Sequence, residues 1–443
     1  MSGRPGALSI EFASGLSGAS QSVRAAELAC DAVQEELGGR STDLALFFFT
    51  APHVPSAEEI AGVIRRRLDP ACLVGVSAES VVGGAVELER VPGISLLAGR
   101  LPGVTLGAFT NDALPAIGED GPDAQTLDAL AEAVHAAPDT RAVLIFADPF
   151  TPLIRLLPAL NRARRSGPDG RPAGVILGGM ASASAKPEGN RLILNGSCRS
   201  GGLVGVTIAG DLRVDAVVSQ GCRPFGSPMV ITRARHNLIF ELGGRPALDV
   251  LNELIQGTSE EDRHQLQAGL LIGRVINEYK DRFGRDDFLI RGVMGVDPER
   301  SAIAIADLVR VGQTVQFHLR DARTAAEDLA MLMDAQKLHD RPVGGLLITC
   351  NARGSRMFGR PGHDAACVVR AFQPTPAGEA RSKGGVPIGS EADAGVPPIP
   401  MAGFFAAGEI GPVGTESFLH GHSACVALFR RREPLSMARP VSR

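Results

Sequence analysis

Apolar residues recur along this chain at two spacings, and the alternation between them predicts an α/β protein. ALSIEFA (7–13) and DLALFFFT (43–50) read as strands. SQSVRAAELACDAVQEEL (20–37) instead repeats its apolar positions at the helical interval and stops at Gly38 and Gly39, a common way for a helix to end. SAEEIAGVIRRRL (56–68) opens on a serine cap and two glutamates, which suit the positive end of a helix dipole. CLVGVSAES (72–80) is a strand running into a turn, and GAVELE, ISLLAG and VTLGAF, broken by Pro-Gly pairs, read as antiparallel strands.

A similar order returns with a helix at 124–136, AVLIFADP, a helix at 153–166 and GVILGGMASAS, followed by RLILNG, GLVGVTIAG and LRVDAVVSQG. VGVSAES (74–80) and LGGMASAS (177–184) hold matching places at the end of an apolar strand, which predicts an internal duplication. From about 228 the pattern changes to a hairpin, PMVITRARHNLIFELGG, a helix over RPALDVLNELI, four further strand-like runs up to QTVQFHLRD, and the amphipathic helix AAEDLAMLMDAQKL. GGLLITC (344–350) is a buried strand ending at NARG. Strands rich in Val, Ile and Leu on both faces call for cover on both sides. The expected architecture is therefore a layered α/β sandwich of mixed, largely antiparallel sheets covered by helices. At 443 residues the chain exceeds one typical core, and the change of pattern places a boundary near 225, giving regions 1–225 and 226–443. The segment 373–400 is rich in Pro and Gly and poor in apolar residues, so it is expected to be a flexible insertion.

Charge narrows the function. The 45 basic and 49 acidic residues give a net charge of −4, which provides no footprint for nucleic acid or an anionic membrane. Tryptophan is absent and Tyr279 is the single tyrosine, so bases would find few stacking platforms. The seven cysteines are widely spaced and form no C-x-x-C pair, a usage that fits a reducing cytosol. No run reaches 18 apolar residues. A cytoplasmic location is expected.

Candidate chemistry gathers near the C-terminus. In GFFAAGEIGPVGTESFLHGHSACVALF (403–429), Glu409 is a lone carboxylate among Gly, Ala, Pro and apolar residues. Flanked by Gly408, it can accept hydrogen bonds from a ligand ammonium or guanidinium group, or brace a turn by bonding neighbouring amides. Cys350 ends a strand with Asn351, Arg353 and Arg356 behind it, and a nearby cation makes a thiol more reactive. A buried, inert cysteine is the other reading. His420 and His422 lie two apart, which in a strand puts both on one face, where with Cys425 they can bind a metal or either can serve as a haem ligand. Arg320, beside Asp321, can hold a ligand carboxylate or form an ion pair at a helix start. A pocket is expected in which Glu409, the loop after Cys350 and the FLHGH turn meet.

Several long motifs, NRLILNGSCRSGGLVGVTIAG, VVSQGCRPFGSPMVITRA, FELGGRPALDVLNEL, DFLIRGVMGVDP, ITCNARGSRMFGRPGHDA and GFFAAGEIGPVG with FLHGH, together resemble the FIST proteins, which pair FIST_N and FIST_C regions. The resemblance implies a sensory module of bacterial signal transduction that binds small molecules such as amino-acid-like compounds; it establishes no enzyme activity and calls for no required cofactor. Some members resemble haem-binding nitric oxide sensors, and haem is the alternative it implies. No kinase, methyl-acceptor or F-box region is fused to the chain, so the signal is expected to pass to a separate partner protein. A further alternative, read from residue types alone, is an enzyme with Cys350 as nucleophile, His420 or His422 as base and Glu409 as orienter.

Overall fold

The computed structural model describes residues 9–118, 120–267, 269–280, 282–284, 287–373 and 396–432. Most of the expected insertion, 374–395, lies outside the described residues.

One structural unit occurs three times. The first runs β1 (Glu11–Ser17), α1 (Ser22–Leu37), β2 (Leu44–Thr50), α2 (Ala57–Leu68), β3 (Cys72–Ala78), a hairpin of β4 (Ser80–Gly83) and β5 (Val86–Glu89), and β6 (Ile94–Arg100). The second repeats it as β7 (Val104–Thr110), α3 (Ala124–Ala133), β8 (Thr140–Ala147), α4 (Leu153–Ala163), β9 (Val175–Met180), β10 (Leu192–Leu194) with β11 (Ser197–Arg199), and β12 (Leu203–Gly210). The third begins with β13 (Leu212–Gln220) and resumes after an inserted sheet. It then runs α7 (Ala322–Gln336), β21 (Gly344–Cys350), α9 (His363–Ala371), β22 (Met401–Ala406), β23 (Glu409–Val413) with β24 (Glu416–His420), and β25 (Ser423–Arg431). The duplicated pattern legible in the sequence thus recurs a third time.

Each unit builds a six-stranded sheet around one parallel pair, β2 with β3, β8 with β9 and β21 with β22. A helix makes each crossover, as parallel neighbours require. The hairpins are exchanged. β4 and β5 edge the third unit's sheet, β10 and β11 the first's, and β23 and β24 the second's. Two of the three sheets therefore contain strands from both sides of residue 225.

The registers align the units residue by residue. Gly75, Gly178 and Gly403 occupy one position, each flanked by a parallel partner (Phe47, Ile145, Leu347) and an exchanged one (Ile193, Ile410, Val82). A Cβ on Gly403 would stand 1.8 Å from Leu347 O, and one on Gly178 would stand 1.7 Å from Ile145 O. No side chain fits at either place.

The inner faces of the three sheets share one core. At its centre the Phe48, Phe146 and Phe404 rings lie 4.9 to 6.0 Å apart, surrounded by Val76, Val81, Leu192, Val204 and Ile348. The outer faces are covered by α1 and α2, α3 and α4, and α7 and α9. With apolar neighbours on both faces, LALFFFT and GGLLITC are buried along their full length. The first strand lies later than its pattern suggests, at 11–17 instead of 7–13. SGLS (14–17) pairs with β6, and Gly15 lets α1 approach so closely that a Cβ there would meet Ala29 O at 2.2 Å.

The inserted sheet has seven strands, from β14 (Cys222–Arg235) to β20 (Thr314–Arg320), with every pairing antiparallel and a separate core that includes Phe225, Ile231 and Phe317. The predicted hairpin is present, closing at Arg235 and Leu238.

Candidate functional site

The threefold register shows which polar residues the fold does not require. Cys350 ends β21 where Thr50 ends β2 and Asp148 follows β8. Glu409 opens β23 at the position held by Val81 and Leu192 in the other units, one step beyond the shared glycine. Val81 and Leu192 are ordinary members of the central core. Ser423 opens β25 where Gly93 and Gly202 precede the matching strands. At Glu409 two units place an apolar side chain, and the third buries a carboxylate with no exposed surface.

These three residues meet. The Ser423 amide and hydroxyl both donate to Glu409 Oε2, at 3.1 and 2.7 Å. Cys350 lies next in register to the Thr349–Ala424 pair, opposite Ser423, and its thiol bonds the Glu409 carboxyl. The Ala352 amide points at Cys350 Sγ from 3.5 Å, and the His422 amide also donates to it. Burial pushes the Glu409 carboxyl up to about 8, against the bonds from Ser423 and Cys350 and the nearby Arg353 charge. Burial, reinforced by Glu409, pushes the Cys350 thiol up to about 12. The pair therefore holds its protons at neutral pH.

Arg353 follows Cys350 by three residues and is wholly buried. Its Nε and Nη2 donate to Asp364 Oδ2 and Oδ1 at 2.6 and 2.9 Å, the two-point geometry that suits a guanidinium and a carboxylate. Thr349 Oγ1 and His363 Nδ1 also bond this carboxylate. Burial alone would raise the Asp364 carboxyl, but the Arg353 guanidinium holds it well below the usual carboxylate range. The third nitrogen, Nη1, has no partner among the described residues.

Arg320, at the end of β20, reaches from the inserted sheet to donate Nη2 to Ala352 O, leaving Nε buried and unpartnered. Asp321 does not pair with it as an ion-pair reading would require; it caps α7 through the Arg323 amide instead. His422 Nδ1 and Glu409 Oε1 are also buried without partners. Burial, with Arg320 nearby, lowers the His422 imidazole to about 4, so it is neutral at physiological pH. Arg320, Ala352 and His422 are partly exposed and rim the cluster.

Of the predicted residues, the structure brings together Arg320, Cys350, Arg353, Glu409 and His422. It does not bring in the other three. His420 gives Nε2 to Gly411 O at 2.9 Å, and the charge that acts on it is that of Arg291. The two histidines share no strand face because β24 ends at His420 and His422 sits in a left-handed turn at φ 63°. Gly408 gives its carbonyl to the Met180 amide. The Asn351 amide is taken up by Glu79 and Phe405 O. Among the described residues no group of three or more His, Cys, Asp or Glu side chains is placed to hold a metal ion. A hollow of about 770 Å³ lined by Arg235, His236 and Arg300 lies on the inserted sheet, but those side chains are solvated; the unsatisfied buried groups mark the stronger site. Sequence reasoning missed Asp364, Ser423 and Gly221. Asp364 reads as part of a helix start in GHDAAC, and Ser423 carries no motif. Gly221 passes so close that a Cβ would stand 2.9 Å from Arg353 Nη1.

The FIST N domain matches residues 43–245 and the FIST C domain residues 247–384. Cys350, Arg353 and Asp364 fall inside the second match, and Glu409 lies beyond it. An uncharacterized protein of Mycobacterium tuberculosis is 36% identical over 420 residues, covering 94% of this chain and 98% of its own length. An uncharacterized protein of Mycobacterium bovis is 34% identical over 408 residues, covering 92% and 95%. Among the described residues no helix is long and apolar enough to cross a membrane.

Proposed function

Because this chain belongs to the FIST family, whose domains are sensory domains of signal transduction proteins, we propose that it recognises a small carboxylate-bearing ligand of amino-acid type at the Cys350–Glu409 cluster. Its output passes to a separate signalling protein. The observation that carries this reading is the set of unsatisfied groups. Among the described residues, five buried side-chain nitrogen or oxygen atoms lack a hydrogen-bond partner, and four of them belong to Arg320, Arg353, Glu409 and His422. An unmet buried polar group costs about 1–3 kcal/mol. Four such groups in one cluster are tolerable if a polar ligand or water completes them. A ligand carboxylate would accept from Arg353 Nη1 and Arg320 Nε, and Glu409 Oε1 would accept from an ammonium. Binding an ammonium favours the ionised carboxylate, so Glu409 would release its proton on binding.

The cluster does not suit haem. His420 Nε2 is committed to Gly411 O, and the Arg320 charge acts on His422, a charged setting instead of the apolar slot that a porphyrin face needs. Among the described residues the cysteines form no disulfide, which supports action in the reducing cytoplasm.

Thermal-shift measurements with a panel of amino acids and small carboxylates test the reading. A true ligand at about 100 times its Kd stabilises the wild type by about 2.7 kcal/mol. The shift should be lost in Arg320→Gln, which changes a partly exposed rim residue. Equal stabilisation of both proteins would remove Arg320 from the site.

A further inference from the structure

We propose that Cys350 is a nucleophile that reversibly captures a small 2-oxo acid, whose carboxylate is held by Arg353 and Arg320 while Glu409 carries the proton. This rests on the preceding reading that a small carboxylate ligand binds the cluster.

Three observations support it. The groups facing Cys350 Sγ are those a covalent addition needs: two amide donors, from Ala352 and His422, and a carboxyl in hydrogen-bond contact. Beside them are two cationic donors, Arg353 Nη1 and Arg320 Nε, that nothing among the described residues satisfies. The equivalent residues of the other units are spent. Thr50 Oγ1 exchanges hydrogen bonds with Gly93, and Asp148 accepts from Phe150 N and Asn190 Nδ2. Only the third unit leaves a reactive group at this position, and Cys350 keeps a small exposed fraction of 8% beside the partly exposed rim.

The step balances without an outside reagent. Glu409, as carboxylate, takes the thiol proton. The sulfur lone pair forms a C–S bond to the carbonyl carbon, and the π pair of the C=O moves to oxygen. That oxygen then takes the proton from Glu409. The product is a hemithioketal, an S–H added across C=O with no change in oxidation state, and the reverse sequence releases the ligand. Glu409 is thereby the base, not a histidine, because neither His420 nor His422 donates or accepts through its ring at Cys350. With the Glu409 carboxyl raised to about 8, capture accelerates as pH rises toward that value.

Glyoxylate labelled with 13C at its carbonyl carbon tests the adduct on the full chain. A new resonance for a carbon bearing both oxygen and sulfur is expected with wild type, and it should be missing in Cys350→Ser. Iodoacetate and iodoacetamide test the carboxylate contact, read by peptide mass spectrometry. Iodoacetate should alkylate Cys350 at least about tenfold faster than the neutral reagent, the preference that one charge-assisted hydrogen bond supplies. Arg320→Gln should abolish that preference and leave labelling of the partly exposed Cys198 unchanged. No adduct signal from wild type, or equal rates for the two reagents at Cys350, overturns the proposal. Stabilisation by glycine without any glyoxylate adduct overturns the covalent step alone, whereas failure of both removes the ligand reading with it.

Discussion

Replacing Glu409 with Gln keeps the side chain's size and its acceptor for Ser423 but removes the ionisable group, and the consequence should appear as a pH dependence of stability. Burial raises this carboxyl from 4.5 to about 8. Across that window the folded protein retains a proton that the unfolded chain releases, so wild-type stability falls as pH rises and levels off above the folded value. A shift of ~3.5 units, at ~1.4 kcal/mol per unit, corresponds to roughly 4–5 kcal/mol. His420 and His422, both lowered by burial to about 4, act with the opposite sign: their stability contribution is lost as pH falls from the usual histidine value through 4. Present in both proteins, they cancel in the difference. Urea unfolding of wild type and Glu409→Gln from about pH 5 to about pH 9 should show the Gln variant gaining several kcal/mol on wild type, mostly between about pH 5 and 8. A difference that stays flat with pH would refute the buried, protonated carboxyl.

Two further outcomes follow from the packing. Asp364→Asn leaves the Arg353 guanidinium buried without a charged partner, and should cost about 3–5 kcal/mol, read as a lower urea midpoint. Gly403→Ala places a methyl 1.8 Å from Leu347 O, too close for the β21–β22 pair to persist; the variant should fail to give a cooperative unfolding transition, and normal unfolding would show that the register is wrong.

Elements formed by local pattern were legible in the sequence. GGLLITC ends at the glycine-rich break NARG, and GFFAAG turns at Gly408, so Cys350 and Glu409 could be expected at neighbouring strand ends before any pairing was known. The hairpin exchange was not legible, because it depends on pairings between segments far apart in sequence. Nothing within SVVGGAVELE says that β4 will edge β22, more than 300 residues away. Ser423 was hidden for a different reason: it lies only 14 residues from Glu409, but nothing in the local pattern says that β23 and β25 bring the two together. His420 and His422 misled for a local reason. The rule that residues two apart share a face holds within a strand, and Gly421 with the left-handed His422 breaks the strand between them.

The central claim is that Glu409 is buried for a ligand and not for the fold, and calorimetric titration of Glu409→Leu tests it most directly. The threefold register puts leucine at the equivalent position of the second unit, so the fold accepts an apolar side chain there, at a cost of about 1–3 kcal/mol for the Ser423 donors that lose their acceptor. The account predicts a folded variant that gives no binding heat with amino-acid or carboxylate ligands that bind the wild type. Unchanged affinity in this variant would contradict it.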